Sequence, residues 1–89
     1  MSAGSIRIQG EQSVACSFVF GVQYAKRPRN LFVRFASACY VYFDVPAVTV
    51  TRWLKAHEGG SYFRRNIRDR FEYERIPDEL YQSLHTQPQ

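Results

Sequence analysis

Between Val14 and Ala25 the residues Phe18, Phe20, Val22 and Tyr24 recur at every second position, the alternation of a strand with one buried face. The basic cluster Lys26-Arg27-Pro28-Arg29-Asn30 follows. Its Pro and Asn predict a turn of hairpin length. Leu31-Phe32-Val33-Arg34-Phe35 is a second strand, with Leu31, Val33 and Phe35 on one face and Phe32 and Arg34 on the other. Ala36-Ser37-Ala38 is short enough for a tight turn, and the aromatic, β-branched run Cys39-Tyr40-Val41-Tyr42-Phe43 is strand again. Three strands with short connections predict an antiparallel meander.

The period changes from two to 3.6 at Asp44-Val45-Pro46. Proline suits the first turn of a helix, with Asp44 or Val45 at the cap. Val50, Trp53, Leu54 and His57 then fall at i, i+3, i+4 and i+7, one face of a helix over 46–57, which Gly59-Gly60 is expected to stop. A second helix over 61–70 is predicted, with Ser61 as N-cap and Phe63, Ile67 and Phe71 spaced by four. The segment 71–76 alternates in polarity and reads as a fourth strand or as the helix running on. Pro77 followed by Asp78-Glu79 predicts a last short helix through Leu84 before a frayed end. Upstream, Ile6 and Ile8 alternate around Arg7, as in a short edge strand. The expected organisation is therefore a peripheral segment over 1–15, one domain over 16–76, and a short helix and tail over 77–89. Its fold class is α+β: a three- to four-stranded antiparallel meander followed by two helices packed on one face. Val33, Phe35, Trp53, Leu54, Phe63 and Ile67 are the expected shared core, because these apolar positions recur in phase on strand and helices.

The ordered set Leu31-Phe32-Val33-Arg34-Phe35, Tyr40-Val41-Tyr42, Val45-Pro46, Leu54, Ala56, Gly60-Ser61-Tyr62-Phe63 and Asn66-Ile67-Arg68 resembles the KTSC domain, a family named after the C-terminus of some lysyl-tRNA synthetases. Its Y-x-Y hallmark is Tyr40-Val41-Tyr42 here. The chain departs from the family at Ala36-Ser37-Ala38, where a glycine is usual, and at Glu58, where a small residue such as serine is usual. The resemblance implies a small stand-alone domain and, through the association with a tRNA synthetase, RNA binding.

Composition sharpens this only in part. With 89 residues, 45% hydrophobic and 22% charged, the chain forms one globular domain. Its formal net charge of +4 suits a polyanion or an acidic protein. Arg52, Lys55, Arg64, Arg65, Arg68 and Arg70 fall on the two helices, where arginines can grip phosphates in bidentate fashion. The competing reading is a solvated face in which Arg65 pairs with Asp69 and Arg68 with Glu72. Tyr40 and Tyr42, with Arg34 on the neighbouring strand, and Tyr62 are candidates for stacking on unpaired bases, unless the helices bury them. The leading expectation is a non-catalytic module for RNA or another nucleic acid, bound through Arg52, Arg64, Arg65, Arg68, Tyr40, Tyr42 and Tyr62. The alternative is a protein-interaction module, an inhibitor or adaptor acting as a homodimer or larger assembly on an acidic partner.

Catalysis has little support in the residues. His57 reads as a helix cap or packed imidazole, His85 lies near the end of the chain, and neither cysteine has a base beside it. No cofactor or metal is expected, since Cys16 and Cys39 sit in no C-x-x-C and read as reduced core thiols. The N-terminus lacks a basic region followed by an apolar one, and no stretch approaches a membrane span, so the expected location is cytoplasmic with no membrane partner.

Overall fold

A computed structural model describes residues 11–84; the expected edge strand at Ile6 and Ile8, and His85 with the last four residues, lie outside them. The chain forms β1 (Val19–Ala25), β2 (Asn30–Phe35), β3 (Cys39–Tyr42), α1 (Ala47–Lys55), α2 (Gly59–Phe63), a π-helical segment Arg64–Arg68, β4 (Tyr73–Ile76) and α3 (Asp78–Ser83). The strands make one antiparallel sheet in the order β1-β2-β3-β4. The alternating segment after Phe71 is thus the fourth strand, and the α+β architecture is the expected one. Among the described residues no helix is long and apolar enough to cross a membrane.

Residues on one face of the sheet pack under α1 and α2. Val22, Leu31, Val33 and Tyr42 meet Val45, Val50, Trp53, Phe63 and Ile67 there, with Phe35, Tyr40 and Leu54 partly buried at the margin. Four of the six expected core residues are buried and two border them. The opposite face carries a smaller cluster of Cys39, Val41, Ile76 and Tyr81, to which Phe32, Phe43 and Leu84 add. Tyr81 comes from α3, so the last helix covers the face that the first two leave open.

Four local expectations are corrected. Phe20 is exposed rather than buried, because the register moves from Val19↔Phe35 to Gly21↔Arg34, while Phe18 lies in the turn before β1 and is exposed at the margin of the core, its ring against Phe35 and Phe63. Phe20 is the extra residue of a bulge, and past it the phase of the strand inverts. Gly59-Gly60 begins the second helix instead of stopping the first, and Ser61 lies inside it. The glycine at 59 is needed for close approach. A Cβ there would lie 2.7 Å from the Ala15 carbonyl oxygen, which already accepts the Gly59 N–H at 2.8 Å. His57 lies beyond the end of α1 and is exposed, not on its apolar side. At the other end of α1 the cap is Pro46 itself, with no side-chain cap bond, and Asp44 serves elsewhere.

Asp44 and Arg29 have φ of 57° and 51°, the left-handed region that costs a residue with a Cβ about 1–2 kcal/mol. They hold each other there. Arg29 donates from Nε and Nη2 to Asp44 Oδ1 at 3.0 and 2.6 Å, and the Val45 N–H donates to the Arg29 carbonyl at 2.8 Å. The Tyr24 hydroxyl donates to the Val45 carbonyl, closing the entry to α1. The turn at Ala36-Ser37-Ala38 contains no residue of positive φ, so its backbone places no demand for glycine.

Candidate nucleic-acid interface

Arg64, Arg65, Arg68 and Arg70 are all exposed, while Ile67 between them is buried and anchors the segment. The π-helical winding keeps guanidinium groups on the solvent side of that anchor. Neither expected i, i+4 pair forms. Arg68 Nε instead lies 3.8 Å from Asp69 Oδ1, with both groups more than half exposed, a contact of little energy. Arg64 sits over the Phe18 ring, 6.0 Å from its centroid. Arg52 is exposed on α1, and its positive charge acts on the Tyr62 hydroxyl.

The tyrosines fare differently from the arginines. Tyr42 is 3% exposed. Its ring meets Phe63 edge-on at 5.8 Å, and burial pushes its hydroxyl up to about 12, reinforced by Tyr73 and Tyr40. Tyr42 is therefore a core residue and has no free face for a base. Tyr40 is half-buried between Phe35 and Tyr73, at 5.6 and 5.7 Å. Tyr62 is half-buried too, its hydroxyl donating to the Thr49 carbonyl at 3.1 Å to tie α2 to α1. Arg34 joins none of them, because it projects from the opposite face of the sheet. The expected platform of Tyr40, Tyr42 and Arg34 does not assemble.

An exposed tyrosine ring on the helix side is that of Tyr73, which pairs with Tyr42 across β3 and β4 and is 54% exposed. The sequence carried one signal for it: Tyr73 and Arg75 share a phase in the alternation over 71–76.

Arg34 belongs to a polar cluster with no forewarning in the sequence. It donates from Nε and Nη2 to the two carboxylate oxygens of Glu11 at 2.8 and 3.0 Å, and the Tyr81 hydroxyl donates to Glu11 Oε2 at 2.6 Å. Gln23 Nε2 donates to the Tyr81 carbonyl at 3.2 Å. The Glu11 side chain lies over Gly21, where a Cβ would fall 2.0 Å from its Oε2. Partners 23 and 70 residues away in the chain are joined here, so no local pattern announces them. Beside this cluster, a depression of about 170 Å³ is lined by Phe20, Phe35, Cys39, Asp78 and Tyr81 among others. Among the described residues no group of three or more His, Cys, Asp or Glu is arranged to hold a metal ion.

The KTSC domain family model matches residues 17–71. The chain belongs to the KTSC domain family. A crystal structure of a KTSC domain protein from Yersinia pestis is similar, with a TM-score of 0.71 and 25% identity over 75% of this chain and 96% of that one. No curated protein matches. The matched span of this KTSC domain contains the Y-x-Y strand and the arginines from Arg52 to Arg70, whereas Glu11, Tyr73 and Tyr81 lie outside it.

The one buried thiol of the smaller cluster is held in the protonated state. Burial, then the hydrogen bond to Asp78 Oδ1 at 3.5 Å and the charge of that carboxylate, push Cys39 up to about 11. A nucleophilic cysteine needs the opposite shift. Because the folded-state value lies above the ordinary 9.0, the stabilisation is complete below about pH 9 and is lost as pH rises from there through about 11. In urea titrations, stability is expected to fall between pH 9 and 11 more steeply in the parent protein than in Cys39→Ala. At pH 8, alkylation of Cys39 should lag behind that of the half-buried Cys16.

Proposed function

We propose that this KTSC domain is a non-catalytic nucleic-acid-binding module that grips RNA phosphates with Arg64, Arg65 and Arg68, aided by Arg52 and Arg70. The observation that carries this reading is the density of exposed guanidinium groups around the buried Ile67, which among the described residues form one ion pair, the loose Arg68 to Asp69 contact. Phosphate contacts of this kind position a strand without reading its sequence, so recognition is general. The upward shift of the Cys39 thiol gives chemistry at that cysteine no support.

Fluorescence anisotropy with labelled tRNA and single-stranded RNA tests the reading. Affinity should fall steeply with salt, the logarithm of the binding constant dropping by about 0.7 per phosphate neutralised for each tenfold rise in salt. Arg64→Glu with Arg65→Glu should weaken binding and flatten that slope. Absence of binding at low salt, or indifference to the double charge reversal, overturns it.

A second reading rests on a different surface. Phe20 is 53% exposed beside Arg34, whose guanidinium lies 5.7 Å from its ring centroid, at the rim of the depression under α3. Aromatic and arginine side chains are enriched in interface centres. Under this reading the domain self-associates at micromolar concentration, and Phe20→Ser returns it to the monomer mass in sedimentation.

A further inference from the structure

We propose that Tyr73, together with the outward-facing peptide groups of β4, forms a stacking site for one unpaired nucleobase, so that the domain selects single strands over duplexes. This rests on the phosphate-binding reading and names the part of the ligand that arginines leave unread.

The ring is exposed but not loose. Tyr73 packs on Tyr42 at 5.4 Å with planes inclined 33°, and on Tyr40 at 5.7 Å and 59°. Tyr42 is fixed in turn by Phe63 and Tyr40 by Phe35. The Y-x-Y pair thus acts as a footing for the next strand's tyrosine, which offers a ring of little residual freedom at the sheet edge. Of the other two exposed rings, Phe20 lies by the Arg34 guanidinium and Phe18 by that of Arg64. Tyr73 has no such cation on it among the described residues.

The backbone of β4 adds a means of reading. The Phe43 N–H donates to the Glu72 carbonyl at 2.9 Å, which makes those opposed residues a hydrogen-bonded pair. In an antiparallel ladder such pairs alternate, so Glu74 and Ile76 also direct their peptide groups toward β3. The N–H and C=O groups of Tyr73 and Arg75 therefore point away from the sheet, along its outer edge. Pro77 ends this edge and offers no N–H. A base stacked at Tyr73 meets a donor and an acceptor from one residue, the Tyr73 N–H and C=O, the combination that pairs with a nucleobase edge. Arg75 shares the face of Tyr73, and Arg70 precedes β4 by three residues, so cations flank the ring along the chain. A duplex base is barred from the site because it would first have to leave its stack, at about a few kcal/mol.

Three labelled probes of equal length test this by anisotropy: an oligouridylate, an abasic strand with the same phosphates, and an RNA duplex. The parent protein should bind the oligouridylate more tightly than either other probe. Tyr73→Ala should weaken oligouridylate binding about 5- to 100-fold and bring it level with the abasic strand, while the salt slope stays unchanged. Tyr73→Phe should bind as the parent does. Tyr73→Phe keeps the ring contacts to Tyr40 and Tyr42 and should melt as the parent does, whereas Tyr73→Ala loses them, so its binding is compared at a temperature where its melting curve shows it folded. If Tyr73→Ala binds like the parent while the Arg64 and Arg65 reversals abolish binding, the stacking site is overturned and the phosphate reading stands. Equal affinity for oligouridylate and duplex overturns it as well. If none of the probes binds at low salt, both readings fall together.

Discussion

Trp53→Ala is expected to destabilise the domain by about 3 to 5 kcal/mol, out of a total of about 5 to 15 for a protein of this kind. The side chain is 0% exposed. Its indole stacks on Phe63 at 5.2 Å and 26°, and its Nε1 donates to the Gly59 carbonyl at 2.9 Å. Gly59 in turn donates to Ala15, so one residue joins α1, the start of α2 and the segment before β1. The alanine variant loses the ring contacts, leaves a cavity and strips a partner from a buried carbonyl. In thermal denaturation the midpoint should drop by at least about 12 °C, taking about 4 °C per kcal/mol at this chain length. Trp53→Phe separates the contributions, since it keeps most of the ring and leaves the carbonyl unpaired at a cost of about 1–3 kcal/mol. An unchanged midpoint in Trp53→Ala would mean that α1 is not docked as described.

Tyr81→Ala should cost a comparable amount, about 3 to 5 kcal/mol. Tyr81 is also 0% exposed and is the main side chain by which α3 enters the smaller cluster. Burial first, then the hydrogen bond to Glu11, drive its hydroxyl far above the ordinary tyrosine range. The proton therefore stays on the oxygen that donates to Glu11 at neutral pH. Tyr81→Phe removes that donor alone. Because the acceptor is a carboxylate with 11% side-chain exposure, the expected loss is about 1.5–3 kcal/mol, moderated by Arg34, which remains on Glu11. Urea midpoints, with Trp53 emission as the probe, order the variants as parent, Tyr81→Phe, Tyr81→Ala. A Tyr81→Ala midpoint equal to the parent's would show that α3 contributes nothing to the core.

The exposure of the arginines was legible in the local pattern of residues. Arginines at 64, 65 and 68 point outward because the apolar spacing Phe63, Ile67, Phe71 commits the other side of that segment to the core. The tyrosines were not legible in the same way. Tyr40 and Tyr42 alternate as any half-buried strand does, and whether the helix-side face lies under a helix or open to solvent depends on where α2 crosses it. Phe63 lands against Tyr42, and an exposed tyrosine ring on this face is that of Tyr73, one strand further out.

Period alone determined the first three strands, their antiparallel order from short connections, the change to helices at Pro46 and the residues Val33, Trp53, Phe63 and Ile67 at the centre, while it left 71–76 open between strand and helix. These follow from the chain's own geometry, because side chains two apart in a strand, or three and four apart in a helix, share a face whatever lies beyond. Tertiary structure decided the rest. The bulge at Phe20 turns that phenylalanine outward, Gly59 starts a helix because the Ala15 backbone comes within reach, and Glu11 meets Arg34 and Tyr81 across 23 and 70 residues. Each of these depends on contacts between segments distant in the chain, and the energy of such contacts outweighs the local preference of roughly 1 kcal/mol per residue that a sequence pattern expresses.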